Sequence, residues 1–125
     1  MLRPLLLAFT ALGLSAGTAA AAAFDCAKAS TATEYAICDN PEISTLDEQM
    51  TGLYYTLVSS GWLKPAQLNK VKTDQNKFLS RRNSCGANYQ CLVDAYTDQT
   101  TALRTLTVEV TPPPAPPVPP EKPAQ

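Results

Sequence analysis

The sequence has 125 residues, no histidine and a formal net charge of −1 at pH 7. Without histidine the Ser-His and Cys-His dyads and the commonest metal ligand are absent, and so balanced a charge argues against strong nucleic-acid binding. Four cysteines with no C-x-x-C pair read, in an exported chain, as disulfides and not as a zinc knuckle or a thioredoxin-type redox centre, so no metal and no cofactor is expected.

The first 23 residues have the pattern of a secretory signal: a positive charge at Arg3, an apolar run from Leu5 to Leu14, and small residues ending at Ala21-Ala22-Ala23. Cleavage is placed after Ala23. The apolar run is half of the about 20 residues that span a bilayer, so no membrane span is expected in the mature chain, which would be periplasmic or secreted. Cys26 follows Phe24 and Asp25, whereas a lipoprotein needs cysteine as its first mature residue.

Thr31-Ala32-Thr33-Glu34 matches the S/T-x-x-E capping box, so a short helix is predicted from Ala32 to Cys38. Asn40-Pro41-Glu42 supplies an N-cap, a proline at the first helical position and a carboxylate suited to the helix dipole. From there Ile43, Leu46, Met50, Leu53, Tyr54, Leu57 and Val58 recur at three- and four-residue steps up to Gly61, which predicts a long amphipathic helix. Pro65 opens the next, with Leu68, Val71, Gln75, Phe78, Leu79 and Arg82 on one face and Gly86 at its end. Asn88 caps the last, with Leu92, Ala95, Tyr96, Gln99, Leu103 and Leu106 inward, and the β-branched stretch Thr105 to Thr111 is expected to fray it.

Eight of the chain's 11 prolines fall between Pro112 and Pro123, where neither helix nor central strand can form. The division is therefore a signal peptide over 1–23, a helical domain over 24–110 and a Pro-rich disordered tail over 111–125. With connections this short the fold class is all-α: a small, disulfide-stapled, antiparallel three-helix arrangement with a short extra N-terminal helix. A core of this size is marginal without cross-links. Four cysteines allow three connectivities. Helix-corner geometry around Gly86 favours Cys85 with Cys91, which leaves Cys26 for Cys38, over the crossed pairings.

Chemistry has little to work with. The five glycines are scattered, so no phosphate loop forms, and a glycosidase-type pair of carboxylates would need a cleft around a sugar that so short a helical chain would struggle to build. A non-catalytic protein is expected. Asp47, on the edge of its apolar stripe, and Arg82, on the stripe of the following helix, are predicted to form a structural ion pair that sets helix register. Residues 24–48 hold Asp25, Glu34, Asp39, Glu42, Asp47 and Glu48 against Lys28 alone, and residues 64–82 reverse that balance. With Glu34 assigned to its cap and Asp47 to its arginine, Asp25, Asp39, Glu42 and Glu48 are the candidate partner-binding residues, suited to steering a basic partner.

Taken in order, Cys26, then Thr33-Glu34-Tyr35-Ala36-Ile37-Cys38, Leu46-Asp47 with Tyr54, Phe78-Leu79 with Arg82 and Cys85, and Cys91-Leu92 with Tyr96 resemble the LprI-like lysozyme-inhibitor family of bacterial envelope proteins. The resemblance spans about Phe24 to Leu106. Phe78 stands where that family often has Trp, and Thr100 where it often has Arg. The resemblance implies an exported helical domain that inhibits lysozyme, with disulfides at Cys26, Cys38, Cys85 and Cys91; the acidic segment would equally suit another basic envelope protein as partner. The alternative is a non-catalytic envelope interaction or spacer module that docks a resident periplasmic protein, with its polyproline tail setting distance.

Overall fold

The computed structural model describes residues 22–115 and 117. Apart from Ala22 and Ala23 the expected signal segment lies outside the described residues, and so does most of the Pro-rich tail. Among the described residues the chain forms a 3-10 turn at Cys26–Lys28 and four α-helices: α1 (Ala32–Asp39), α2 (Pro41–Ser59), α3 (Pro65–Ser84) and α4 (Tyr89–Val110).

Each helix begins where a side chain captures its free N–H groups. The Thr31 hydroxyl accepts from Glu34 N while the Glu34 carboxylate accepts from Thr31 N, closing the capping box of α1. The Asn40 side chain accepts from Glu42 N and Ile43 N ahead of Pro41, and the Asn88 side chain from Cys91 N. At the head of α3 the Gln67 side chain accepts from Lys64 N. Gly61 and Gly86, with φ of 76° and 57°, make the two turns between long helices in the left-handed region that only glycine enters freely.

The long helices bury one apolar stripe each. Ile43, Met50 and Leu57 of α2 meet Leu92, Ala95, Tyr96 and Leu103 of α4, and Val71 and Phe78 of α3 close the side. The Phe78 and Tyr96 rings stand 5.2 Å apart, tilted by 60°, within the range of favourable aromatic pairs. Residues near the start of α2 meet residues near the start of α4 and the end of α3: Asp47 touches both Tyr96 and Arg82. The order is thus up, down, up. α2 packs more extensively on α4 than on α3, its neighbour in sequence.

Helix α1 covers the end of the bundle where α2 and α4 begin. Ile37 is completely buried, the Ser44 hydroxyl donates to Ile37 O at 2.6 Å, and the Thr33 hydroxyl donates to Asn83 O at 3.2 Å. Two disulfides fasten this end. Cys26 bonds Cys38, tying the 3-10 turn to α1, and Cys85 bonds Cys91 across the Gly86 corner, with Cα separations of 5.8 and 5.6 Å.

One expectation is corrected. Helix α4 does not fray over Thr105–Thr111 but runs to Val110. Two interactions offset the poor helix propensity of the β-branched residues. Leu106 and Val110 pack against the core, and the Thr107 and Thr111 hydroxyls donate back to Leu103 O and Thr107 O. Beyond the helix, residues 112–115 and 117 are exposed and have no regular structure.

Candidate functional site

The disulfide end of the bundle gathers nearly every residue that the sequence marks out. Its centre is the Asp47 carboxylate, 2% exposed. Oδ1 accepts from the Tyr96 hydroxyl at 2.7 Å and lies 3.6 Å from a guanidinium nitrogen of Arg82; Oδ2 accepts from the backbone N–H of Ala23 at 2.8 Å. The structure therefore brings Asp47 and Arg82 together between antiparallel helices. The contact is electrostatic and not a short hydrogen bond, because the Arg82 guanidinium donates instead to the Asn83 side chain at 2.9 and 3.0 Å.

Both direct donors to Asp47 are thus neutral. Tyr96 figures in the sequence only as an inward-facing residue, and nothing in the helix pattern points to its hydroxyl; a buried tyrosine needs a partner for that group, which is the one available signal. Burial first, and the adjoining Asp47 charge second, raise the Tyr96 phenol above its ordinary value, so it stays a proton donor. Beside this cluster lies a half-open depression of about 310 Å³ lined by Phe24, Met50, Tyr54, Tyr55, Leu79 and Arg82, among others.

The four candidate partner-binding carboxylates are all exposed, but they are not equally free. The Asp25 side chain accepts from Ala27 N at 3.0 Å and lies 3.9 Å from the Lys28 ammonium. Glu42 accepts from the Tyr89 hydroxyl at 2.5 Å, across from α4, and that bond is the main cause of the raised pKa of the Tyr89 phenol. Of the four, Asp25, which caps the 3-10 turn, and Glu42, which links two helix starts, are therefore the more committed to the fold. Asp39 and Glu48 make no hydrogen bond or ion pair among the described residues. Glu42 and Glu48 are six residues apart on α2, about 120° around the axis and about 9 Å along it, so they occupy adjoining flanks.

The Glu34 pKa is lowered from its ordinary value by the Ser30 backbone N–H above all, with the Thr31 N–H also contributing. The basic helix α3 is partly neutralised: Lys70 and Lys77 pair with Asp74, and Arg81 pairs with Asp98 of α4 at 2.7 Å. Among the described residues no group of His, Cys, Asp and Glu side chains is placed to hold a metal ion, and no helix is long and apolar enough to cross a membrane. No family model, no curated protein and no solved structure matches this chain.

Proposed function

We propose that this chain is exported, loses its N-terminal signal, and acts as a non-catalytic binding protein that inhibits a lysozyme-type peptidoglycan hydrolase. The supporting observation is the placement of charge: within the acidic segment the buried and capping carboxylates, Asp47 and Glu34, are turned to folding, and Asp39 and Glu48 are left on the solvent side of a doubly stapled, hence rigid, end of the bundle. Exposed carboxylates on a rigid scaffold suit a basic partner, since little conformational freedom is lost on docking. The ordered similarity to the LprI-like family adds a reason to choose a lysozyme. Two disulfides are in keeping with an oxidising compartment outside the cytoplasm.

A second reading, an envelope spacer or docking module, draws on the direction of the tail. It leaves the C-terminus of α4, and a helix of 22 residues carries that point about 33 Å from the disulfide end. A tail fixed elsewhere would hold the acidic face outward. An activity assay of a basic lysozyme with and without the purified domain separates the two. Dose-dependent inhibition supports the first reading, and absence of inhibition with every lysozyme tried leaves the second.

A further inference from the structure

The Asp47 carboxylate is buried, yet it takes its hydrogen bonds from two neutral donors, the Tyr96 hydroxyl and the Ala23 backbone N–H, while Arg82 stands off at 3.6 Å. Buried charges are ordinarily held by a hydrogen-bonded counter-ion. The second of these donors sits where the apolar leader ends. Residues 19–23 are all alanine, so the small-x-small pattern read by signal peptidases fits the bonds after Ala21, Ala22 and Ala23 equally well. The cut expected after Ala23 is thus one of three that the pattern allows.

From the hydrogen bond at Ala23 we infer that the processing site is the Ala22–Ala23 bond and that the α-ammonium group it creates is a second, hydrogen-bonded counter-ion of Asp47 beside Arg82. The inference rests on the export reading above. Hydrolysis adds water across the peptide bond: the carbonyl of Ala22 leaves as a carboxylate with the signal, and the nitrogen of Ala23 becomes a protonated amine. That nitrogen already lies 2.8 Å from Oδ2, so the neutral amide contact becomes a charge-assisted one without movement of the chain. Ala23 itself is exposed, so the remaining ammonium protons reach water. Its position is held from both sides, by the Asp47 contact and by the Cys26–Cys38 bond three residues on.

The neighbouring bonds do less well. Cleavage after Ala23 removes the donor and leaves Oδ2 buried without it. Cleavage after Ala21 keeps the neutral Ala23 amide on Asp47 and the partial burial of Ala22, but adds no charge at Ala23. The charged and titratable groups facing the new terminus are Asp47 of α2, Arg82 of α3 and Tyr96 of α4, with Tyr54 and Tyr55 lining the adjoining depression and Asp25 and Lys28 on the turn that follows. Asp47 is the nearest of these, and it favours the protonated amine.

The full chain with its leader, expressed in a bacterium that exports it and recovered from the envelope or medium, should begin at Ala23 by N-terminal sequencing and intact mass. A first residue of Phe24, or of Ala22 or earlier, overturns the inference alone; an uncut chain overturns it together with the export reading. The processed chain and its N-terminally acetylated form, which keeps the N–H but not the charge, should then differ in urea unfolding. At pH 6 the free-amine chain should have an unfolding constant about tenfold smaller, corresponding to a shift of one pKa unit. An ammonium favoured in the fold contributes fully below the ordinary α-amino value of about 7.7 and loses that contribution as pH rises through its folded value, so the difference should vanish near pH 11. Asp47→Asn should abolish it at every pH. Should that variant not fold, the acetylation comparison decides by itself: equal stability of the two forms at pH 6 overturns the inference.

Discussion

A buried carboxylate is only as secure as its donors, and Asp47 shows which ones count. The Tyr96 hydroxyl makes a 2.7 Å bond to it, and Arg82 approaches only to 3.6 Å but supplies the charge. Tyr96→Phe keeps the ring on Phe78 and removes one bond to a charged acceptor, so it should cost about 2 kcal/mol in urea unfolding. Arg82→Ala removes the cation and should cost about 3 kcal/mol, the scale for breaking a buried pair. A loss under about 0.5 kcal/mol for Arg82→Ala would show that the pair contributes little to stability. Thr100 predicts the opposite sign. Its hydroxyl is buried with no hydrogen-bond partner among the described residues, so Thr100→Val, which keeps the shape and removes the unpaired group, should stabilise the protein by about 1 kcal/mol. Thermal unfolding of both chains would check it. The ion pair is legible in sequence because both partners ride on apolar stripes. The Tyr96 and Ala23 donors are not, because one depends on the depth of a side chain and the other on a backbone group that helical periodicity does not describe.

Among the elements, starts are more legible than stops. Thr31 with Glu34, Asn40 with Pro41, and Asn88 are local signals, and each acts within four residues of itself, so no tertiary information is needed to find them. The end of α4 depends on whether Leu106 and Val110 find a core to cover, and that is a property of the fold. The same locality gives the capping box of α1 a pH signature. The Glu34 pKa is lowered in the folded chain, chiefly by the Ser30 backbone N–H. A carboxylate depressed in this way stabilises the fold above its unfolded value, and the contribution is lost as pH falls through the folded one. Glu34→Gln should therefore lower stability at pH 6 and approach the wild type below the ordinary glutamate value of about 4.3. Urea midpoints measured from pH 6 down to pH 3 should converge. A constant gap would show that the carboxylate charge at Glu34 is not what the cap uses.

For the molecule as a whole, charge and architecture point the same way. The disulfides, the α1 lid and the starts of α2 and α4 lie at one end, and the tail departs at the other, so a partner drawn to Asp39 and Glu48 meets a part of the fold that does not need to move. Asp25 and Glu42 remain exposed beside them, but each already holds a local contact. If a basic lysozyme is the partner, its association is steered by exposed charge, and at 0.15 M salt the Debye length is about 8 Å. Inhibition should therefore weaken as ionic strength rises. An Asp39→Asn, Glu48→Gln chain should show a flatter salt dependence than the wild type while unfolding at the same urea concentration, because neither side chain makes a hydrogen bond or ion pair among the described residues. Glu42→Gln, Glu48→Gln should flatten it too, with the added change that the Tyr89 hydroxyl then faces a neutral amide. Inhibition curves at 50 and 300 mM salt suffice to compare the three chains. Inhibition that is indifferent to salt and to all of these substitutions would move the contact surface off the acidic end, and the depression beside Arg82, lined by Phe24, Tyr54 and Tyr55, would be the next face to alter.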